Sequence, residues 1–421
     1  MFSKKTTLLT ALPVLSVALY IHVFGLNIPL WDQWSFVSCL MLADARQLTL
    51  EFLLKLHNEH RPFFPRLIWL GLATLTDYNV KAELWANLAV VIGAFIFFIR
   101  RATRIWREIQ INVPVFSIPL LSLLIFNLGH RESWLMGFTF QYFLGVAGVV
   151  IGFFLLTDRT YKSFVLAMAL GVIANFSMVN GVLFWALGLP ILLLTEPPRT
   201  RIVKAALWIA VSAASLWLFF SGWHSSSQIN LPYLFSHPFE WMLWILNFLG
   251  APIFAFWYIA WVFGGLSLFF LGAIIFQAIK SGQWKVMLPY IAIMIFILIT
   301  ALSISLGRME FGLRQSTVSR YLTMSAWYWA SLLTLLPFVQ FKRLRINWVY
   351  LLLTASLTVL TFAGGWVGYV RLYSRIFPAY QSVVSGESIS EKDLAQIHFD
   401  PAIAGPQIEF LSENGLSAWG E

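Results

Sequence analysis

The feature that most constrains this chain is the recurrence, from end to end, of apolar runs of about 17 to 25 residues, each able to cross a hydrocarbon core of about 30 Å as a helix. A helix satisfies its backbone hydrogen bonds internally, which is what a lipid solvent demands. Drawn on the sequence, the spans are 6–26, 82–99, 112–127, 139–157, 163–179, 181–195, 205–221, 255–279, 286–305, 321–340 and 347–370. That is about eleven crossings, within a range of roughly 10 to 13. Hydrophobic residues make up 59% of the chain and charged residues 11%, more apolar surface than a water-soluble fold of this length can bury. The expected fold class is an all-α polytopic membrane protein. Residues 1–370 form its transmembrane domain and 371–421 a short tail.

The first run, Thr6 to Leu26, follows Lys4 and Lys5, lacks a small-residue cleavage site and is long for a signal-peptide core, so it reads as a retained span. A single cysteine, Cys39, excludes an intramolecular disulfide and a cysteine-built zinc centre. The net charge of +9 requires no nucleic-acid partner, because the basic residues follow the positive-inside bias. Sixteen of the 28 Lys and Arg lie in one set of short loops: Lys4 and Lys5; Arg100, Arg101, Arg104 and Arg107; Arg159 and Lys162; Arg199, Arg201 and Lys204; Lys280 and Lys285; Lys342, Arg343 and Arg345. That face is predicted to be cytoplasmic, as is the N-terminus, with the C-terminus exoplasmic.

Acidic residues do little to set topology, so their placement asks for another reason. Only Glu108, Asp158 and Glu196 fall on the basic side. Seven of the rest belong to the tail, where solvation suffices. The remaining nine stand in or beside exoplasmic loops, together with Arg61, Arg66, Arg131, Arg308, Arg314 and Arg320, which run against the topological bias. Function is expected there. The longest such loop, 27–81, mixes Phe36, Leu40, Leu48, Phe52 and Leu56 with Asp44, Arg46, Glu51 and Lys55, a pattern for helices lying in the interface. Pro65 to Thr76 and Phe239 to Leu249 are apolar but too short to span, and read as juxtamembrane or re-entrant helices. Ser388-x-x-Glu391 is a capping-box pattern for a short helix in the tail. Trp31, Trp34, Trp134, Trp223 and Trp241 near span ends are, first of all, interfacial anchors.

Three constellations carry candidate chemistry. In Trp31-Asp32-Gln33-Trp34, a carboxylate between two indoles at the membrane surface is suited to general-base work, although Asp32 could instead cap the helix that follows. In His57-Asn58-Glu59-His60-Arg61-Pro62, the histidines at i, i+3 share a face if the segment is helical. With Glu59 or Asp32 they could then ligate a divalent metal, or bind a substrate hydroxyl or phosphate. In Gly307 to Tyr321, Arg308, Arg314 and Arg320 recur every six residues, with Tyr321 beside the last. Guanidinium forks pair with phosphate oxygens bidentately, whereas snorkelling to headgroups would serve equally well with Lys, and none of the three is Lys. Smaller polar islands accompany them: Arg131 and Glu132 with Gln141, Asn180 with Asn175 and Ser177, and His224 with the serines after it. Each could line a cavity or simply solvate a helix end. The chain has no phosphate-binding loop, dinucleotide fingerprint or nucleophile elbow, so nucleotide-dependent and α/β-hydrolase chemistries are unsupported.

An Asp directly after the first span, interfacial helices, then His60-Arg61-Pro62-Phe63-Phe64 leading into a short apolar helix, and a second span ending in Arg100-Arg101, resemble the polytopic glycosyltransferases of the C-type (GT-C-like) fold. Trp134 to Tyr142, Asn175 to Trp185 and Gly307 to Tyr321 look more closely like a largely uncharacterised bacterial membrane-protein group of that layout. The chain departs from many of those enzymes in having Gln33, not a second acid, after Asp32; Glu59 is the alternative second carboxylate. The resemblance implies transfer of a sugar from a polyprenyl-phosphate donor to a glycan or lipid acceptor, with Asp32 as base and the arginines on the leaving phosphate. The other side-chain candidates, read from the residues themselves, are His57, His60 and Arg61, with Asp32, His57 and His60 as the metal set if a metal is used. Two other classes remain open: a transporter of lipid-linked sugar or another anionic lipid, and a non-catalytic envelope assembly protein. Span interiors almost free of ionisable residues favour surface chemistry over a transport path.

Overall fold

The computed structural model describes residues 4–111, 113–224, 229–339, 346–398, 400 and 403–421. The serines after His224 and the basic residues Lys342, Arg343 and Arg345 lie outside that set. Every named element is helical. The first span is α1 (Lys4–Phe24), and the loop after it carries α2 (Trp34–Asp44), α3 (Leu50–Leu53) and α4 (Phe63–Thr76). Thr49 caps α3 by accepting the Phe52 N–H, and Asp77, left-handed at φ 51, ends α4. Asn79 then caps the 29-residue α5 (Val80–Glu108), whose first turn holds Glu83 and last turn Arg107.

The bundle continues with α6 (Ser117–Ile125), α7 (Arg131–Trp134), α8 (Phe140–Leu156), α9 (Tyr161–Asn175), α10 (Leu183–Thr195) and α11 (Pro198–Phe220). Next come α12 (Leu231–Ser236), α13 (Pro238–Gly250), α14 (Trp257–Lys280), α15 (Trp284–Arg308), α16 (Ser319–Leu335) and α17 (Ile346–Val384). Among the described residues six helices are long and apolar enough to cross a membrane: α1, α5, α8 with the turn before it, α11, α14 and α15. The protein is therefore a helical membrane protein. The predicted spans 163–179 and 181–195 are shorter apolar helices. The predicted span 112–127 holds α6, nine residues all of which are buried, so its surroundings are protein and not lipid. Where the last span was expected to stop at 370, α17 runs on to Val384, because Pro378 is accommodated within the helix and no breaker intervenes.

The main core joins α5, α8, α15 and α16. At α13 and α14 the backbones approach so closely that a Cβ on Gly264 would collide with the main chain of Leu246. A second apolar cluster joins the first loop to the tail: Trp34, Phe36, Val37 and Trp69 pack with Ile397, Leu411 and Ala418. The tail's two helices are α18 (Glu391–Ile397), capped by Ser390 two residues later than the predicted capping box, and α19 (Ala404–Glu413). The tail is thus not simply solvated.

The bundle has two chemically distinct ends. At one, Arg100, Arg101, Arg104, Arg159 and Lys285 surround a cavity of about 750 Å³, and Arg101 forks onto Asp158 with two bonds of 2.5 Å. Beneath them a buried ion pair joins Lys204 to Glu196 at 2.6 Å. From Lys285, α15 rises about 1.5 Å per residue over its 25 residues to Arg308 at the far end. That far end holds the candidate site.

Candidate functional site

A cavity of about 320 Å³ opens at the Arg308 end of the bundle, a size within the range of small-ligand sites. Its walls come from seven separate stretches of chain. Asp32 faces it from the loop after α1, Asn58, Glu59 and His60 from the same loop before α4, Phe138 from the 3-10 turn before α8 and Tyr142 from the first turn of α8. Val179 and Asn180 enter between α9 and α10, and the end of α15 and start of α16 contribute Arg308, Arg320, Tyr321 and Met324. Ser303, exposed on the side of α15, and Ile229, exposed before α12, also line it, so the cavity reaches the bundle's flank as well as its end.

Asp32 lies in one 3-10 turn, Trp31–Gln33, in which Trp31 has φ 49. A left-handed tryptophan costs on the order of 1–3 kcal/mol and survives where its surroundings enforce it. Here the tail does so: Trp31 Nε1 donates to the Gln396 carbonyl and Trp34 Nε1 to that of Ile397, each at 2.9 Å. Trp34 and Trp134 are buried structural side chains and not interfacial anchors. Trp223 and Trp241 are likewise committed, donating to the Glu59 carbonyl at 3.1 Å and to Ser305 Oγ at 2.7 Å. Asp32 does not cap α2, which starts with Gln33 at its N-cap position and no side-chain bond. Its Oδ1 is instead 3.3 Å from His57 Nε2, and the His57 ring packs on Phe138 at 4.7 Å.

His57 and His60 do not share a helix face. They close a tight turn in which the N–H of each donates to the carbonyl of the other, at 2.9 and 3.0 Å, with Asn58 left-handed at φ 51. The turn forms because Asn tolerates that conformation and Pro62 prevents a helix from running through. It points the two rings apart: His57 to Asp32, His60 to Tyr142 Oη at 3.3 Å and to the Val179 N–H at 3.1 Å. Burial lowers the His60 pKa from 6.5 to about 4, so the ring is neutral. With both His60 nitrogens engaged, the metal set read from the sequence is reduced to Asp32 and His57. Among the described residues, no three of His, Cys, Asp or Glu come together as ligands for a metal.

The remaining candidates divide. Arg308 and Arg320 line the cavity, and neither forms a salt bridge with a described carboxylate; each lies over an aromatic ring, Phe311 and Tyr321. Arg314 is exposed and away from the cavity, since Gly312 at φ 83 and the 3-10 turn Leu313–Thr317 carry it outward. Arg61 is a strut: Nε donates to the Phe219 carbonyl and Nη1 to that of Leu54, both at 2.6 Å, and Nη2 to Ser221. Arg131, Glu132 and Gln141 do not line the cavity, whereas Asn180 does. Gln141 is buried behind it, neither side-chain atom bonded, and the Glu132 N–H donates to Ser319 Oγ at 3.2 Å.

Two groups are not singled out as site residues by the sequence. Tyr142 lies in a run of aromatic and apolar residues. Glu83, in the first turn of α5, is buried and accepts from Gln33 Nε2 at 2.6 Å. The residue next to Asp32 thus reaches a second carboxylate through space, although the sequence lacks an adjacent acid. Gly137 makes room for this pair, since a Cβ there would collide with Glu83 and Gln33. No family model, curated protein or solved structure matches the chain.

Proposed function

We propose that the protein is a membrane glycosyltransferase of GT-C-like layout. It would move a sugar from a polyprenyl-phosphate donor to an envelope glycan or lipid acceptor on the exoplasmic face of a bacterial inner membrane. The observation that carries this reading is the meeting of two carboxylates, Asp32 and Glu59, with two arginines that have no salt-bridge partner among the described residues, Arg308 and Arg320, in one cavity that also reaches the flank of the bundle. A prenyl chain would lie along that flank, past Ile229 and Ser303, with its phosphate at the arginines.

In the proposed reaction the acceptor oxygen forms a bond to the anomeric carbon as that carbon's bond to the phosphate oxygen breaks. The bonding electrons leave with the phosphate, the acceptor proton passes to Asp32, and the configuration inverts. Negative charge grows on the phosphate as the bond breaks, so guanidinium forks already in place stabilise the transition state more than the bound donor. His57, donating to Asp32 Oδ1, would hold the carboxylate in one rotamer. Glu59, in the same wall, would bind acceptor hydroxyls.

The test is transfer from a radiolabelled polyprenyl-phosphate sugar by purified protein in proteoliposomes. Asp32→Asn should lower turnover by about 10²–10⁴-fold, the usual contribution of a general base, with donor affinity retained. Full turnover in that variant would remove Asp32 from the mechanism. Movement of the donor across the bilayer without any transfer would support the transporter class instead.

A further inference from the structure

The hydrogen-bond directions around His60 determine where the Tyr142 proton points. The Val179 N–H can only donate, so His60 Nδ1, 3.1 Å away, must be its acceptor. In the neutral ring the single proton then resides on Nε2, and Nε2–H donates to Tyr142 Oη at 3.3 Å. The phenol oxygen is therefore the acceptor in that bond, and its own proton is turned away from His60. Tyr142 lines the cavity, and the charged groups acting on it include Arg320, Asp32 and Arg308. Arg308 and Arg320 can only donate, and with the Tyr142 proton they make a set of donors that complements an oxygen that only accepts, as in a phosphate.

We propose that Tyr142 donates a hydrogen bond to the phosphate of the bound lipid, as an uncharged third donor beside Arg308 and Arg320, and that His60 is the positioning residue that aims it. This rests on the lipid-phosphate reading of the cavity and deepens it by naming how the phosphate is recognised. Since the bond is made to a charge that grows as the phosphate leaves, losing it should lower kcat more than it raises KM.

The experiment is calorimetric binding of farnesyl phosphate and of farnesol to the detergent-solubilised protein. Wild type should bind the phosphate more tightly than the alcohol. Tyr142→Phe, which keeps the ring, should weaken farnesyl phosphate about tenfold, as expected for a hydrogen bond to a charged group, and leave farnesol unchanged. His60→Leu should lose a similar factor and His60→Gln, whose amide can still donate to Tyr142, should recover most of it. The imidazole nitrogen shifts of His60, assigned by their loss in His60→Gln, should report a protonated Nε2 and a bare Nδ1 at neutral pH. Equal farnesyl phosphate affinity in wild type and Tyr142→Phe would overturn this inference while leaving the transferase reading intact. A wild type that does not distinguish the phosphate from the alcohol would overturn both.

Discussion

His60 and His130 are imidazoles that burial holds neutral, with pKa values lowered from 6.5 to about 4 and about 3. In the unfolded chain each takes up a proton near pH 6.5, and in the folded protein only near those lower values. Between these limits the unfolded state binds more protons, so stability falls as the pH drops from about 6.5 toward 4. The slope is at most about 1.4 kcal/mol per pH unit for each ring. The melting temperature of the purified protein should decline through that window, and His60→Gln should decline less steeply. Parallel curves for the two proteins would show that His60 does not titrate as assigned. Glu59, His57, Asp32 and Arg308 also act on this ring, so the difference between the two curves, not either alone, carries the comparison. The same residues show what the sequence could reveal. Asp32, Glu59, His60, Arg308 and Arg320 are legible because polar groups at a span's edge serve no lipid packing. Arg61 and Arg314 bear the same signal yet face elsewhere, since an arginine that braces three carbonyls and one that binds a ligand are identical in one dimension. Tyr142 is not singled out as a site residue by the sequence: its proposed role depends on an imidazole-and-amide geometry supplied by His60 and Val179, distant in sequence.

At the scale of elements, the tail controls the turn that holds Asp32. Beyond the two indole bonds, Gln407 Nε2 donates to the Trp34 carbonyl at 3.1 Å and to Ser38 Oγ at 2.9 Å, while His398 Nε2 lies 3.0 Å from Gln407 Oε1. Farther along, Ser417 Oγ donates to the Asn27 carbonyl at 2.8 Å, and Asn27 Nδ2 to Glu421 at 3.0 Å. These contacts bracket the strained Trp31 on both sides. Gln407→Ala removes two of the bonds next to the turn, worth about 1 kcal/mol each. Transfer should fall severalfold, and the segment 27–62 should become more open to limited proteolysis, with α5 and α15 still protected. Unchanged cleavage of that segment would show that the turn holds itself. Helices such as α5 and α15 were readable from their apolar runs, because length against bilayer thickness is a one-dimensional property. The docking of α18 and α19 was not, because their few apolar residues, Ile397 and Leu411 among them, look like ordinary solvated-helix composition until Trp34 and Trp69 are brought beneath them.

For the molecule as a whole, the two ends of the bundle differ in how their charges are arranged. At the Lys285 end, Arg101 is paired with Asp158, Arg104 with Glu108 at 2.7 Å and Lys204 with Glu196, while Arg100 and Lys285 remain around the cavity. An excess of basic residues beside span ends is what fixes orientation during insertion, so this end should face the cytoplasm and the Arg308 cavity the other side. The six long helices set the distance between the ends but not which way the bundle points, and that depends on loop charge alone. Cys39 supports a direct test: it is buried and its thiol is pushed up to about 11, so it contributes no reactive background. Single cysteines replacing Arg314 and Lys162, both exposed, mark the two ends. A membrane-impermeant maleimide added to cells whose outer barrier has been opened should label Arg314→Cys at once, and Lys162→Cys only after the inner membrane is permeabilised. The reverse order would invert the orientation and put Asp32 on the cytoplasmic side, where a donor used on the exoplasmic face could not reach it. Simultaneous labelling of both would mean that the helices between them do not cross the bilayer.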